Sequence, residues 1–447
     1  MAAKTFEEKH LRRERWCWYM YDFGNSAYAA VILLAVYSAY FQGQVVGGVQ
    51  GSKLWGTSVG IAMLVVALIS PFLGTIADFT ASKKRFLFFF TALACVCTGL
   101  LFFVEKGDVF LGMLFFILAE IGYRSAQVFY DALLPEIASD EEMSRVSGNG
   151  WALGSAGGVL CLLIILPLIM IFKGTLMVRI SFVITAVYYA LSAIPIFMGL
   201  EEHNPPQSLP AGETYMSLSV KRLSRTVRSA WTFRQFVKFV ASFLAYDGGV
   251  IMALNFASII GAVLFGLQQQ GLIFFVILVQ VANVAGAYLF GKIANRYGGR
   301  RALTMSLVLL LVSILAMFVA RTQLIFFVIG ALAGFAMAGV QSLSRTMAGM
   351  LSPAGQSAEF YGFFAVAGRM SSFIGPAMYG RVVFWAASWG QTQGYALEQA
   401  EQFGHRVGLL SIGVFLVVGL LLLAQVNEKQ ARQAKLRVDN KGLVQAG

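Results

Sequence analysis

The sequence GTIADFTASKKR, residues 74–85, is the basis for predicting the fold, because a partial copy of it recurs in the second half of the chain. The second copy, GKIANRYGGRR at residues 291–301, keeps the glycine, the Ile-Ala pair and two adjacent basic residues at an offset of 217. Tyr21-Asp22 recurs as Tyr246-Asp247 at an offset of 225. Three further residues recur 214 positions later: Gln127, Gly148 and Gly154 as Gln341, Gly362 and Gly368. Near-constant offsets in separate regions predict two homologous halves.

The composition places these halves in a lipid bilayer. Of the 447 residues, 58% are hydrophobic and 13% are charged. Soluble domains have about 45–50% apolar and about 25% charged residues. Twelve apolar stretches approach the roughly 20 residues that span a membrane, the first near residues 16–42. We therefore predict an all-α integral membrane protein with twelve transmembrane helices in two pseudo-symmetric six-helix bundles.

The stretch between the sixth and seventh apolar segments is polar and begins EEHNPP at residues 201–206. Because prolines and charges end helices, we predict bundles at residues 1–200 and 236–447, joined by a cytoplasmic linker at 201–235. Basic and apolar residues alternate at helical spacing from Leu218 to Phe236. This pattern predicts an amphipathic helix on lipid headgroups, with a solvated connector as the alternative.

Basic residues cluster in the N-terminal segment, the loops after the second and eighth spans, the linker and the C-terminal tail. The positive-inside rule places these segments, and therefore both termini, in the cytoplasm. The same clusters account for the formal net charge of +12 without a nucleic-acid partner. Short termini and loops favour a bacterial inner (plasma) membrane, with an organelle membrane as the alternative.

The repeated loop is similar to the signature between the second and third helices of the major facilitator superfamily. The first copy has Phe79 and Ala81 where that signature has a basic residue and a glycine, and the second has Asn295 in place of the acid. Four longer stretches resemble the autophagy-related vacuolar effluxer branch: YDFGNSAYA (21–29), LPEI (134–137), SRVSGNGWALG (144–154) and YDGGV (246–250). The resemblance implies a twelve-helix transporter that exports a small solute; fungal members are associated with release of amino acids from the vacuole.

We interpret the repeated loop as a gating latch, in which Asp78 at a helix end pairs with basic residues or a helix N-terminus of the other half in one conformation and separates from them in another. A surface turn that stabilises a single hairpin is the alternative. The latch residues are Gly74, Asp78, Lys83, Lys84, Gly291, Asn295, Arg296, Arg300 and Arg301.

Ionisable side chains within the predicted spans form the candidate substrate or proton pathway. A charge at the centre of a membrane helix costs about 2.5–3.5 kcal/mol on insertion scales, so it persists only beside a cavity or a partner. Asp22 and Asn25 are three residues apart and share one face of the first helix. Asp247 repeats the carboxylate in the seventh helix. In the superfamily fold, these two helices border the central cavity.

The fourth predicted helix carries a polar stripe. Its four members, spaced 4, 3 and 4 residues apart, share one helix face: Glu120, Arg124, Gln127 and Asp131. The spacing predicts an ion pair between Glu120 and Arg124. Arg124-Ser-Ala-Gln127 resembles the superfamily's Arg-x-x-Gln element, which is tied to proton coupling in relatives, although Val128 replaces the glycine that usually follows.

The second half contributes Gln341 and Arg345 from its tenth helix and Arg369 from its eleventh. In one interpretation, these buried charges form salt bridges that only fix helix packing. In the other, Arg124, Arg345 and Arg369 bind an anionic group while a carboxylate binds a proton or an ammonium group.

Gly150, Gly154 and Gly158 recur every four residues in the fifth helix and predict close packing against a neighbour, with ligand contact as the alternative. The sequence contains no phosphate-binding loop, so ATP is not the expected energy source. Its four cysteines lie in or beside apolar stretches, and three histidines are too few for a metal centre. We therefore expect no enzymatic activity, no metal and no cofactor.

These observations predict a secondary active transporter, with proton-coupled export of a small polar or zwitterionic solute, such as an amino acid, as the leading function. Rocking of the two bundles would give alternating access to the site. The alternatives are an exporter of lipid- or drug-type amphiphiles with the same fold, and a non-transporting membrane sensor or scaffold. The expected partners are the solute, protons and the lipid bilayer, and the expected state is a monomer.

Overall fold

The structure is a computed structural model that describes residues 2–80, 82–138, 140–172, 174–202, 217, 233–351 and 357–427. Twelve long helices follow one another in these ranges: α1 Ala2–Tyr28, α2 Gly48–Thr80, α3 Lys83–Leu100, α4 Val109–Ile137, α5 Asp140–Ile171, α6 Thr175–Gly199, α7 Arg234–Phe265, α8 Gln269–Tyr297, α9 Gly299–Val319, α10 Gln323–Leu351, α11 Ser357–Thr392 and α12 Leu397–Ala424. The predicted amphipathic helix of the linker falls almost entirely on residues outside the described ranges.

Eleven stretches of the described chain are long and apolar enough to cross a membrane, beginning with His10–Val46 and ending with Leu397–Ala424. The helix not among them is α11, which is 36 residues long. Arg369, Arg381 and several small or polar residues interrupt its apolar sequence, which lowers its hydropathy relative to the other eleven.

The helices form two compact units. One contains α1–α6 together with Gln268–Val276, and the other contains α7 and the chain from Ile277 onwards. Within the first unit, α1 packs against α5 and α6, and α3 packs against α4. Within the second unit, α7 packs against α11 and α12, and α9 packs against α10. The same neighbours thus recur in each unit, which is the tertiary counterpart of the sequence repeat.

Glycine allows the first and last helices of each unit to approach closely. A Cβ atom on Gly199 of α6 would lie 2.6 Å from Sγ of Cys17 in α1. A Cβ atom on Gly419 of α12 would lie 2.5 Å from Cβ of Tyr246 in α7. Ser242 also donates a hydrogen bond to the Gly419 carbonyl at 2.8 Å. A larger residue at Gly419 would also meet the backbone N of Tyr246 at 2.9 Å and force these helices apart, whereas one at Gly199 would displace the Cys17 side chain.

In both units, the backbone just after the last helix donates a hydrogen bond to a side chain of the first helix. The backbone N–H of Glu201, just after α6, donates to Oε1 of Glu14 in α1 at 3.0 Å. The backbone N–H of Asn427, just after α12, donates to Oε1 of Gln235 in α7 at 2.9 Å. In each unit, a side chain of the first helix therefore fixes the position of the chain as it leaves the last one.

The first span departs from regular α-helix, which its sequence did not predict. After Tyr28 it continues as π-helix through Ala29–Ala35 and again through Phe41–Val46, with a short α-helical turn, Tyr37–Tyr40, between them. The N–H of Val36 reaches the carbonyl of Val31, five residues back, at 2.8 Å. The corresponding helix of the second unit, α7, is a continuous α-helix. The distortion therefore belongs to one half only, and it follows directly on the candidate polar residues of α1.

Candidate functional site

The polar residues of α1 and α4 meet along the contact between these two helices, here called the α1–α4 seam. Asp22 and Asn25 lie on α1, and Asn25 is 2% exposed. Asp22 is influenced electrostatically by Asp131 of α4, a group of the same charge. Among the described residues, Asp22 has no hydrogen-bond or ion-pair partner. A carboxylate in this position requires water, a proton or a cationic group.

The predicted ion pair on α4 forms, and its two members differ in exposure. Nε of Arg124 donates to Oε1 of Glu120 at 2.8 Å. The side chain of Glu120 is fully buried, whereas that of Arg124 is 35% exposed. Gln127, one turn further on, donates to the hydroxyl of Tyr123 at 3.2 Å. The stripe therefore runs from a buried carboxylate at Glu120 to an exposed one at Asp131.

Aromatic side chains frame the α1–α4 seam. The ring of Tyr28 stacks on Tyr123 with centroids 4.5 Å apart, and the ring of Trp18 stacks on Tyr130 at 4.3 Å. Tyr21 also stacks on Tyr130, at 4.9 Å. Trp18 donates its indole N–H to the Tyr130 carbonyl at 3.0 Å. Sequence reasoning missed these residues, although Tyr123 and Tyr130 are seven apart and share a helix face.

The α1–α4 seam also holds buried polar atoms that make no hydrogen bond within the described part of the chain. They are Oδ1 of Asn25, the hydroxyl oxygens of Tyr28 and Tyr130, and Oε2 of Glu120. Tyr28 interacts electrostatically with Glu120, but neither of these two oxygens has a partner of good hydrogen-bond geometry. Because an unsatisfied buried polar group costs about 1–3 kcal/mol, these atoms are suited to hold water or a polar solute.

The predicted glycines of α5 lie against α1. A Cβ on Gly150 would lie 2.4 Å from the Trp18 ring, and one on Gly154 would lie 2.7 Å from Oδ2 of Asp22. A Cβ on Gly158 would lie 3.1 Å from the Ser26 carbonyl. Gly154 is thus the glycine of this row that touches a candidate pathway residue.

The second unit places its candidate residues differently. Asp247 lies on α7 beside Ser371 of α11. Gln341 and Arg345 are exposed on α10, and Arg369 is partly buried on α11. In the described part of this unit, Asp247 forms no ion pair comparable to the one between Glu120 and Arg124 on α4. The repeat therefore preserves the position of the carboxylate and not its surroundings.

The lysines of the predicted latch contact their own unit. Nζ of Lys83 lies 2.6 Å from Oε1 of Glu136 at the end of α4. The backbone N–H groups of Lys83 and Lys84 donate to the Glu202 carboxylate at 3.0 and 2.8 Å. Glu202 thereby caps the beginning of α3. The side chain of Asp78 lies outside the described residues.

In the second copy of the latch, Arg300 donates to the Ala424 carbonyl at 2.7 Å. Arg296 lies 5.4 Å from the centre of the Tyr297 ring, and Arg301 is exposed. A Cβ on Gly291 would meet no atom within 4 Å. The side chain of Asn295, like the surroundings of Gly74, lies outside the described part of the chain.

Comparison with known proteins identifies the family of this chain. Residues 54–436 match the model of a family described as vacuole effluxer Atg22 like. The chain belongs to this family. It is 26% identical over 432 residues to the MFS-type transporter YxiO of Bacillus subtilis, covering 94% of this chain and 96% of YxiO. It is 22% identical to autophagy-related protein 22 of Yarrowia lipolytica, covering 86% and 76% of the two chains.

Solved structures give the same fold. The nucleoside transporter NupG superposes with a TM-score of 0.72 at 12% identity, over 94% of this chain and 100% of NupG. A bacterial homologue of the human lysosomal transporter Spinster superposes with a TM-score of 0.70 at 13% identity, over 95% and 97% of the two chains. This member of the Atg22-like family therefore has the major facilitator fold of twelve helices in two bundles. It is a multi-pass membrane transporter and not an enzyme, since the family and the structural neighbours are transporters.

Proposed function

We propose that this transporter couples the movement of protons to the export of a small polar or zwitterionic solute, such as an amino acid, by rocking of its two bundles. One observation carries the proposal: the fully buried Glu120 holds Arg124 by Nε, the Arg124 side chain stays 35% exposed, and Tyr123 interacts electrostatically with both Arg124 and Asp22. One pair of helices thus offers a cation and an acid to the same solute.

Arg124 is suited to bind a carboxylate group. Its described hydrogen bond uses Nε, which leaves the two terminal nitrogens of the guanidinium group for other partners. A guanidinium group can donate two parallel hydrogen bonds to one carboxylate, and this geometry is both strong and selective. Stacking on Tyr123, whose ring centre lies 5.0 Å from Cζ, further restricts the orientation of the guanidinium group.

Asp22 is suited to exchange a proton or to receive an ammonium group. It sits in a membrane-spanning helix, and the described charged group that acts on it is another carboxylate, Asp131. Such a group is most stable when it is protonated or when it faces a cation. Uptake of a proton in one conformation and its release in the other would link solute movement to the proton gradient.

The family's description as effluxers favours export, and the bacterial relative favours a bacterial inner membrane. The clusters of basic residues favour cytoplasmic termini. We propose that the protein works as a monomer, because each unit of the fold already contains its own core.

The test is a thermal-shift screen of the purified protein against amino acids, followed by transport of the best ligand in proteoliposomes with an imposed pH gradient. Arg124→Lys should weaken binding about tenfold or more, because a lysine cannot make the paired hydrogen bonds. Arg179→Lys is the matched control, since Arg179 also pairs with a glutamate, Glu105, away from the α1–α4 seam. Stabilisation by amphiphiles instead of amino acids would favour the lipid- or drug-type alternative, and binding without transport would favour a sensor.

A further inference from the structure

We propose that Gly154 is a positioning residue for Asp22: the space left by its missing side chain holds the Asp22 carboxylate, so that the approach of α5 to α1 decides whether this carboxylate carries a charge. The inference rests on the proposed function, in which Asp22 takes up the coupling proton.

The geometry separates Gly154 from the other glycines of α5. A Cβ built on Gly154 would lie 2.7 Å from Oδ2 and 2.8 Å from Cγ of Asp22. It would also lie 2.8 Å from Oγ of Ser26. The corresponding contacts of Gly150 are with the Trp18 ring, and those of Gly157 begin at the backbone of Phe23. Only at Gly154, within the described part of α5, does the contact fall on an ionisable group.

The other described groups around Asp22 do not neutralise a charge on it. From α4, the titratable groups that act on it or lie beside it are Asp131, Tyr123 and Tyr130. From α6, Tyr189 faces α1, but its hydroxyl is hydrogen-bonded to Tyr21 at 2.7 Å. No described cation pairs with Asp22, so water that reaches the carboxylate stabilises its charged form.

The contact with α5 controls how much water can reach that carboxylate. When the backbone at Gly154 lies against Oδ2, one side of the Asp22 carboxylate is shielded and its neutral form is favoured. When α5 moves away from α1, water enters the space and the charged form is favoured. A movement of one helix is thereby linked to the uptake or release of one proton, because each charge state favours one helix position.

The test reads the charge state of Asp22 without any solute. Dicyclohexylcarbodiimide reacts with protonated carboxyl groups in apolar surroundings, so its incorporation can be followed against pH by peptide mass spectrometry on the purified full-length protein. Gly154→Ala should move the labelling midpoint of Asp22 to higher pH by roughly half a unit or more, because the carboxylate must shift to admit an apolar methyl group, which then excludes water from one side of it. Gly154→Ser adds the same Cβ atom together with a hydroxyl group that can donate a hydrogen bond to the carboxylate, so its midpoint should lie below that of Gly154→Ala.

Gly158→Ala is the matched control, since its Cβ would lie 3.1 Å from the Ser26 carbonyl and meets no ionisable group. Equal midpoints for Gly154→Ala and Gly158→Ala, or equal shifts for the Ala and Ser variants at Gly154, would overturn the proposal.

If Gly154→Ala does not fold, the double variant Ser26→Ala, Gly154→Ala gives the same readout with one steric conflict removed. Asp22→Asn identifies the labelled peptide. A wrong proposed function would leave these labelling results intact and would appear as proton-independent transport, so the two failures are distinguishable.

Discussion

Glu120 and Arg124 are one helical turn apart on α4, and the 2.8 Å contact between them joins a fully buried carboxylate to a guanidinium group whose side chain is 35% exposed. Because Glu120 is buried and Arg124 is partly exposed, Glu120 is suited to hold the guanidinium group of Arg124 in place for binding. Breaking a buried ion pair costs about 3–5 kcal/mol, and exposure of one partner reduces that cost because water screens the remaining charge.

We expect Glu120→Gln to lower the free energy of unfolding by about 2 kcal/mol, between the values for buried and surface ion pairs. Denaturation of the purified protein measures this loss. Glu105→Gln is the control, because Glu105 pairs with Arg179 but its side chain is 63% exposed. An equal loss of unfolding free energy in both variants would show that the buried pair on α4 stabilises the bundle no more than the exposed pair does.

The approach of α12 to α7 depends on one glycine and can be tested against a second on the same helix. A Cβ on Gly419 would lie 2.5 Å from Cβ of Tyr246, whereas a Cβ on Gly413 would meet Leu311 at an ordinary 3.8 Å. Gly419→Ala should lower the melting temperature, since overpacking costs about 1–3 kcal/mol. Gly413→Ala should leave the melting temperature unchanged or raise it, because alanine favours helix by up to about 1 kcal/mol. Similar melting temperatures for the two variants would contradict the close approach.

The contact between Lys83 and Glu136 joins the beginning of α3 to the end of α4 within one unit. We expect Lys83→Ala to lower the melting temperature, because the Glu136 side chain is 1% exposed and would lose this cation. The exchanged pair, Lys83→Glu with Glu136→Lys, should recover part of the loss. Faster or slower transport at an unchanged melting temperature would instead support a gating latch at this position.

The π-helical part of the first span should open more readily than the equivalent part of α7. Hydrogen–deuterium exchange at residues 29–46 should be faster than at residues 254–265, because the wide turns of π-helix make poorer hydrogen bonds than α-helix. Mass spectrometry of peptides from both segments, in the same sample and detergent, provides the comparison. Equal exchange rates would mean that the distortion does not weaken the helix.

The sequence alone determined the number and class of the helices, the division into related halves and the ion pair on α4. Each of these follows from local regularities: the length of apolar stretches, a constant offset between repeats, and the i, i+4 spacing of Glu120 and Arg124. The bilayer then leaves these apolar segments little choice of secondary structure other than helix, because every backbone polar group must be hydrogen-bonded inside its own helix.

The neighbours of those side chains follow from tertiary packing. It placed Asp22 against Gly154, joined Lys83 to Glu136 and stacked Tyr28 on Tyr123. It also converted the continuation of α1 into π-helix while leaving α7 regular. These features depend on how far each helix is rotated and how closely it approaches its neighbours. Helix rotation and helix separation are both set by the packing of side chains that are distant in sequence. The spacing of residues along a single helix does not predict that packing.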